Sequence, residues 1–282
     1  MKKSITLISI ILLLFLAACS DGEVESVESG NDVLNEASEN DKDTKGFVTE
    51  EEFDKMYSNP KDYRGYEVEF TAQVFVEPER DDTTVYLQVY AKPEDYEQNV
   101  IVYFEESDFN IKTDDYVKIS GIVEDEFEGE NLMGGTIIAP LIKATSVEVV
   151  DYITAVAPTL KEVIVDETIT QHGMEVTLQK IEFAENETRA YVKVKNNTDG
   201  TVYFSEYDAK LLTGSSQFET EYIYESGLPE IPYDILAGVE AEGVLMFPEL
   251  DLETDSITLH AEGYSDDYML DFQPFVFEVE IE

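Results

Sequence analysis

The chain predicts an all-β protein with one short N-terminal helix, arranged as a small five-stranded barrel followed by a second set of antiparallel strands. Two observations carry this. From Tyr66 onward, apolar residues recur at every second position in short runs, which is the period of a half-buried strand and not of a helix. Those runs are punctuated by Gly, Pro, Asn and Asp, the residues that reverse a chain. The length of 282 residues suits two domains of about 100–130 residues, each able to bury its own core.

Order is expected to begin at Thr49. Thr49-Glu50-Glu51-Glu52 has the form of a capping box and starts a short helix through Phe53 and Met56 to about Tyr57, where Asn59-Pro60 stops it. In the first strand Val68, Phe70, Ala72, Val74 and Val76 face one way, and Glu67, Glu69, Thr71 and Gln73 the other. A second strand, Val85 to Ala91, follows the Asp81-Asp82 turn, and a third runs from Val100 to Phe104. The fourth, Tyr116 to Glu124, is followed by a loop and by a fifth strand from Ile137 to Val149. Residues Asp151 to Pro158 form a short join. Strands then resume from Leu160: Met174 to Ile181, Arg189 to Lys195, Val202 to Phe204, Gly243 to Phe247, Ser256 to Gly263 and Phe275 to Ile281. Asn196 to Gly200 reads as a turn of residues that accept positive φ, and Ala237-Gly238 as a second turn.

Two resemblances sharpen this. Lys61-Asp62-Tyr63-Arg64-Gly65 leading into a strand, with Thr113-Asp114-Asp115-Tyr116-Val117-Lys118-Ile119-Ser120-Gly121-Ile122-Val123, resembles the OB-fold modules of Gram-positive lipoproteins over residues 47–151. Gly121 then falls where a strongly bent barrel strand needs a residue without a side chain. The stretch Ala190 to Phe204, with its Asn196-Asn197-Thr198-Asp199-Gly200 turn, and Leu236 to Phe247 are similar to the Ig-like domain of unknown function that often ends such lipoproteins, over residues 159–282. The resemblance implies an OB-like barrel followed by an Ig-like antiparallel β-sandwich, and implies no activity.

Residues 1–19 have the parts of a secretory signal: Lys2 and Lys3, an apolar run from Ile5 to Leu16 broken by Thr6 and Ser9, and the small-residue box Leu16-Ala17-Ala18-Cys19 ending in the chain's one cysteine. A run of about a dozen apolar residues is short for a bilayer span. The box resembles the bacterial lipoprotein signal, which implies a diacylglycerol on the Cys19 thiol. Two or three acyl chains, at about 0.8 kcal/mol per buried methylene, hold far better than one. The alternatives are an ordinary secretory signal with a chance cysteine, or an uncleaved anchor. Residues 20–46 contain nine carboxylates and two lysines with hardly any large apolar residue, the composition of a disordered acidic tether.

The charge bounds the partners. Against 18 basic residues stand 63 acidic ones, a formal charge of -45, which makes contact with nucleic-acid phosphates or anionic lipid head groups unfavourable. Because 43 % of residues are apolar and 11 % aromatic, the acid reads as a solvated shell around folded domains. With the cysteine assigned to lipid, thiol chemistry and zinc fingers are excluded.

Candidate chemistry is sparse. Carboxylate pairs arise at any spacing in so acidic a chain, so no acid and nucleophile can be singled out. His172 sits in a Gln171-His172-Gly173 turn without a nucleophile elbow, and His260 points outward if Ile257, Leu259 and Ala261 point inward. The loop Glu124 to Asn131 reads first as a solvated acidic hairpin tip; its Asp125, Glu126, Glu128 and Glu130 are alternatively oxygen donors for Ca2+, as are Asp251, Glu253 and Asp255 elsewhere. Tyr86, Tyr90 and Tyr103 lie opposite Val85, Leu87, Val89, Val100, Val102 and Phe104, on the face where an OB barrel binds ligands; the alternative is that they line the interior or lie under the helix. The expected function is a non-enzymatic, lipid-anchored interaction or accessory module on the extracytoplasmic face of the membrane, with an envelope protein as partner. The alternative is a receptor for a small ligand or divalent cation through the OB-like face or the acidic loops.

Overall fold

A computed structural model describes residues 44–130, 135–222 and 226–281. Cys19 and nearly all of the tether lie outside them. The fold is all-β with one helix of any length. In chain order the elements are α1 (Glu50–Ser58), a 3-10 turn (Pro60–Tyr63), β1 (Glu67–Val74), β2 (Glu79–Arg80), β3 (Val85–Lys92), β4 (Glu97–Phe104), β5 (Tyr116–Glu130), β6 (Thr136–Val150), α2 (Tyr152–Ala155), β7 (Lys161–Gln171), β8 (Met174–Phe183), β9 (Glu187–Asn196), β10 (Val202–Thr213), β11 (Ser216–Glu219), β12 (Asp234–Ile235), β13 (Glu240–Pro248), β14 (Ser256–Ser265) and β15 (Phe275–Glu280).

In the first module the pairings form a ring, β1-β5-β6-β4-β3 and back to β1, antiparallel throughout except for the parallel β4–β6 ladder from Ile101↔Leu141 to Phe104↔Ala144. The closing β1–β3 seam is only two pairs long, Gln73↔Tyr90 and Val74↔Val89. That order, with a short seam, is the arrangement of a partly open five-stranded Greek-key barrel. Val68, Ala72, Val74, Val85, Leu87, Val89, Val100, Val102, Val117 and Ile119 fill the inside, and α1 adds Met56 to the same core while Phe53 meets Phe70 at 5.3 Å between ring centroids.

Three local expectations are corrected here. Thr49 is the N-cap of α1, but its side chain does not accept from the helix; its hydroxyl reaches the Glu52 carboxylate at 3.4 Å instead. Gln73, expected on the wet face, is buried because β1 at that point pairs with both β3 and β5. The stretch expected as a loop from Glu124 is strand: β5 and β6 continue as a paired ribbon from Asp125↔Leu141 to Glu130↔Thr136. The bend that starts this ribbon is at Gly121, where an added Cβ would stand 2.6 Å from the Lys143 carbonyl oxygen and 2.8 Å from Ile142 Cγ2. The ladder is bulged on both sides of it, between Ser120 and Gly121 and between Val123 and Asp125.

The second module is two antiparallel sheets, β13-β9-β8-β7 and β11-β10-β14-β15, with β12 also on β10. Their facing residues, among them Val176, Leu178, Ala190, Val192, Leu211, Phe247, Leu259 and Phe277, form one core. The β7–β8 hairpin closes on His172 (φ 49°) and Gly173 (φ 91°), two successive left-handed residues of the kind a tight hairpin requires. The turn after β9 is present but contains no positive φ. The buried Asn196 side chain holds it instead, donating to the Gly200 and Ile235 carbonyls at 2.8 Å each and accepting from the Thr198 N–H at 2.8 Å. Gly238, at φ 76°, is left-handed as its turn requires.

The join is not a loose connector. Asp151 caps α2 by accepting from the Thr154 N–H at 2.8 Å, and Tyr152, Ala155 and Ala157 are buried. A third apolar cluster unites Tyr116 of β5, these join residues, Ala184, and Val244 and Met246 of β13. The join therefore lies over the outer face of the β13-β9-β8-β7 sheet.

Candidate functional site

The barrel places the aliphatic residues of β3 and β4 inside, so the three tyrosines lie on its outside. Tyr86 and Tyr103 are direct cross-strand partners. Tyr86 donates to Asp81 Oδ2 at 3.0 Å, and Asp81 in turn accepts from the Thr83 and Thr84 N–H groups at 2.9 Å each. Burial, with the nearby Glu124 carboxylate, pushes the Tyr103 phenol up to about 12, and the Lys143 ammonium lies 5.9 Å above its ring. Tyr90 is separate from this pair: it stacks on Phe75 at 4.0 Å and meets Tyr96 edge-on at 6.2 Å. The structure thus joins two of the three tyrosines.

The acidic ribbon is partly neutralised from within. Arg64 engages Asp125 through both carboxylate oxygens, with Nε donating to Oδ1 at 2.9 Å, and Lys61 donates to Glu126 at 2.7 Å. Both cations come from the Lys61-to-Gly65 segment that introduces β1. The Arg64 hydrogen bond holds the Asp125 carboxyl below its usual range. Glu128 shares the ribbon without joining these pairs, and the Glu130 side chain lies outside the described residues. Among the described residues no three His, Cys, Asp or Glu side chains converge on a possible metal position. Asp251 serves its own turn, accepting from the Glu253 N–H at 2.9 Å. His172 is close to the Asp271 carbonyl at 3.1 Å and edge-on to Phe272, and His260 alternates outward from Ile257, Leu259 and Ala261.

Two constellations were not singled out by sequence. One is the polar knot under the join. Arg189 is fully buried, with Nε 3.1 Å from Glu182 Oε2, one terminal nitrogen 2.6 Å from Glu187 Oε1 and 2.8 Å from the Ala157 carbonyl, and the other 2.8 Å from the Thr159 hydroxyl. Tyr152 donates to Glu187 at 2.6 Å, while Tyr191 and Thr159 donate to Glu182 at 2.9 and 3.0 Å. Lys180 also grips Glu182 and lies 4.4 Å over the Tyr191 ring. Burial works against the Glu182 charge, but these donors outweigh it and hold the carboxyl below its ordinary value. Burial and the Glu182 charge push the Tyr191 phenol up to about 12.

The other is a cleft at the open edge of the sandwich. The ladder between β10 and β14 breaks between Ser205 and Lys210, which turns Glu206 and Tyr207 out of register. Beside them the chain beyond β11 lies along β13, with the Glu221 N–H donating to the Met246 carbonyl at 2.8 Å and the Val244 N–H to that of Pro229 at 2.9 Å. Between these segments opens a hollow of about 350 Å³ lined by Phe204, Glu206, Tyr207, Glu230, Ile231 and Tyr233 among others. A second, smaller hollow against Tyr222 and Met246 shares Glu206, Tyr207 and Glu230 with it. Tyr207, Tyr222 and Tyr233 are 69 %, 53 % and 53 % exposed. Burial and then the negative charge of Glu230 push the Glu206 carboxyl up. A sequence signal did exist: Phe204-Ser205-Glu206-Tyr207-Asp208 breaks the two-residue period inside what is otherwise one long strand.

Among the described residues no helix is long and apolar enough to cross a membrane. No known protein family matches the chain, and no curated protein does. Of the solved structures that match, one is a functionally unknown protein from Listeria monocytogenes EGD-e, 14 % identical over 45 % of this chain and 88 % of that one, with a TM-score of 0.36. Another is a conserved hypothetical protein from Bacillus anthracis, 12 % identical over 37 % of this chain and 94 % of that one, with a TM-score of 0.29. Likenesses at that level carry no argument about fold or activity.

Proposed function

We propose that this chain is an exported, non-enzymatic lipoprotein that holds two β modules at the extracytoplasmic face of a membrane, where they act as an interaction or accessory module for an envelope protein. The observation that carries the reading is Leu16-Ala17-Ala18-Cys19 placed directly after an apolar run with a basic start. The acidic stretch between that cysteine and α1 supports it, since such a composition makes a spacer between anchor and folded part. The modules themselves fit the OB-like and Ig-like pieces that the sequence resembles. The test is Cys19→Ser with metabolic labelling by a fatty-acid analogue. The native chain is expected to take the label and sediment with membranes, and the variant to lose both. Label retained in Cys19→Ser overturns the anchor.

A second reading, a receptor, is favoured by the cleft at the sandwich edge. It places binding on the second module and leaves the barrel's tyrosine face as a surface.

A further inference from the structure

We propose that the polar knot under the join is an acid-operated clasp: once its carboxylates are protonated, the join lifts off the β13-β9-β8-β7 sheet, and the two modules move independently while each stays folded. The clasp concerns the folded part alone, so its test is separate from that of the anchor.

The argument starts from what holds the join to the sheet. Its apolar part is the cluster of Tyr116, Tyr152, Ala155, Ala157, Ala184, Val244 and Met246, of which three are alanines with little surface to bury. The rest is polar. Tyr152 donates to Glu187 at 2.6 Å, Arg189 donates to the Ala157 carbonyl at 2.8 Å, and the Thr159 hydroxyl bridges Arg189 and Glu182 at 2.8 and 3.0 Å. On its other side the join belongs to the barrel, where the Thr71 hydroxyl donates to the Ala155 carbonyl at 2.9 Å and Tyr116 meets Tyr152 edge-on at 5.8 Å between ring centroids. The knot lies on the outer face of the sheet, away from the core between the two sheets, so opening it breaches neither module's core.

The charges decide what acid does there. The join brings Asp151 and Tyr152, β5 brings Tyr116, β7 brings Glu162, β8 brings Lys180 and Glu182, and β9 brings Glu187, Arg189 and Tyr191, while β13 contributes the apolar Val244 and Met246. At neutral pH Glu182 and Glu187 balance Lys180 and Arg189. A guanidinium keeps its charge at any pH, and Arg189 is completely buried. Protonating the carboxylates therefore leaves a buried cation without a counter-charge, a state that only water can relieve. Lys180 is partly exposed and meets water where it stands, whereas water reaches Arg189 when the join lifts. The phenols stay neutral throughout the acid range. The sign follows from Glu182: burial works against its charge, but Lys180, Tyr191 and Thr159 hold its carboxyl below the ordinary 4.5. The clasp is then closed above pH 4.5 and opens as pH falls through the lower, folded value.

The experiment is oxidation of the full chain in detergent micelles by hydrogen peroxide, from pH 7 to about pH 3.5, with each methionine read by mass spectrometry. Met246 is 6 % exposed in the cluster that the join covers, and Met269, 77 % exposed, normalises the reagent. Met56 and Met174, fully buried in the barrel and sandwich cores, report unfolding. Met246 should become about tenfold more reactive below pH 4.5 while Met56 and Met174 stay protected. Glu182→Gln, which makes one protonation permanent, should expose Met246 already at pH 7. Arg189→Leu should reverse the sign, because it leaves carboxylates and no buried cation: Met246 is then most reactive at pH 7 and less so in acid. Asp151 also has a lowered carboxyl pKa, held down by the Thr154 hydroxyl and N–H, so its loss of charge could fray α2 by itself. Asp151→Asn keeps a capping side chain that does not titrate, and the acid response of Met246 should survive in it. A flat Met246 profile, exposure of Met246 in step with Met56 or Met174, loss of the response in Asp151→Asn, or an Arg189→Leu profile of the native sign each overturns the clasp.

Discussion

Arg189→Met removes the only guanidinium in the knot under the join while keeping much of its volume. The structure allows the cost to be worked out. Arg189 is completely buried, and its loss strips Glu187 of its cation, Glu182 of one of two, and the Ala157 carbonyl of a donor. Breaking a buried pair by deleting one partner typically costs about 3–5 kcal/mol, because the other charge stays behind without compensation. Lys180 still serves Glu182, and the Tyr152 and Tyr191 hydroxyls still donate, so the lower end, about 3 kcal/mol, is expected. For a folded unit of this size that is a fall of about 6–12 °C in melting temperature, at about 2–4 °C per kcal/mol. The assay is urea unfolding of wild type and variant, followed by circular dichroism, with the midpoint and slope compared. The sign with pH is fixed as well. Glu182 has a folded-state pKa below its unfolded one, so its contribution is full above the unfolded value near 4.5 and is lost as pH falls through the lower, folded one. The gap between wild type and Arg189→Met should therefore narrow below pH 4.5. A loss under 1 kcal/mol at pH 7 would refute the view that this knot is a tight, desolvated cluster.

Three further outcomes are expected. Segments 47–151 and 159–282 each close a core and should each melt cooperatively, but 159–282 should be less stable alone than in the full chain, since it lacks Tyr152 and Ala157; equal stability in differential scanning calorimetry would mean that the join contributes nothing. Gly121→Ala should destabilise the barrel by about 1–3 kcal/mol in denaturant titration, as its Cβ would meet the Lys143 backbone, which has nowhere to yield; an unchanged midpoint would show that the bend is soft. Melting temperature should climb with NaCl from 0.01 to 1 M as the screening length shortens from about 30 to about 3 Å, and a flat profile would show that the net charge of -45 is already compensated.

What was readable in the sequence was whatever depends on near neighbours. Alternation located the central part of β1, β3, β4, β8, β14 and β15, which have a drier and a wetter face, and apolar content located β9 and β13, although Gly243 to Phe247 of β13 are buried on both faces. What escaped depends on segments far apart in the chain. The end of β5 is too acidic to look like a strand, and it is one because β6 pairs with it and Lys61 and Arg64 neutralise its base. Glu182, Glu187 and Arg189 fall on the nominally wet face of their sheet, and nothing local says that the join folds over them. The cleft escaped because the strand was expected to end at Phe204, whereas it passes through a break and continues to Thr213.

The buried join has a mechanical meaning. A two-module protein with a pliant connector samples many separations, and a ligand that touches both halves must freeze that freedom on binding. Here Tyr152, Ala155 and Ala157 are already packed on one module and capped beside the other, so the freezing is done during folding. The pair behaves as a caliper set to one gap. Inserting even a few residues at the join would leave each half intact while undoing that fixed spacing.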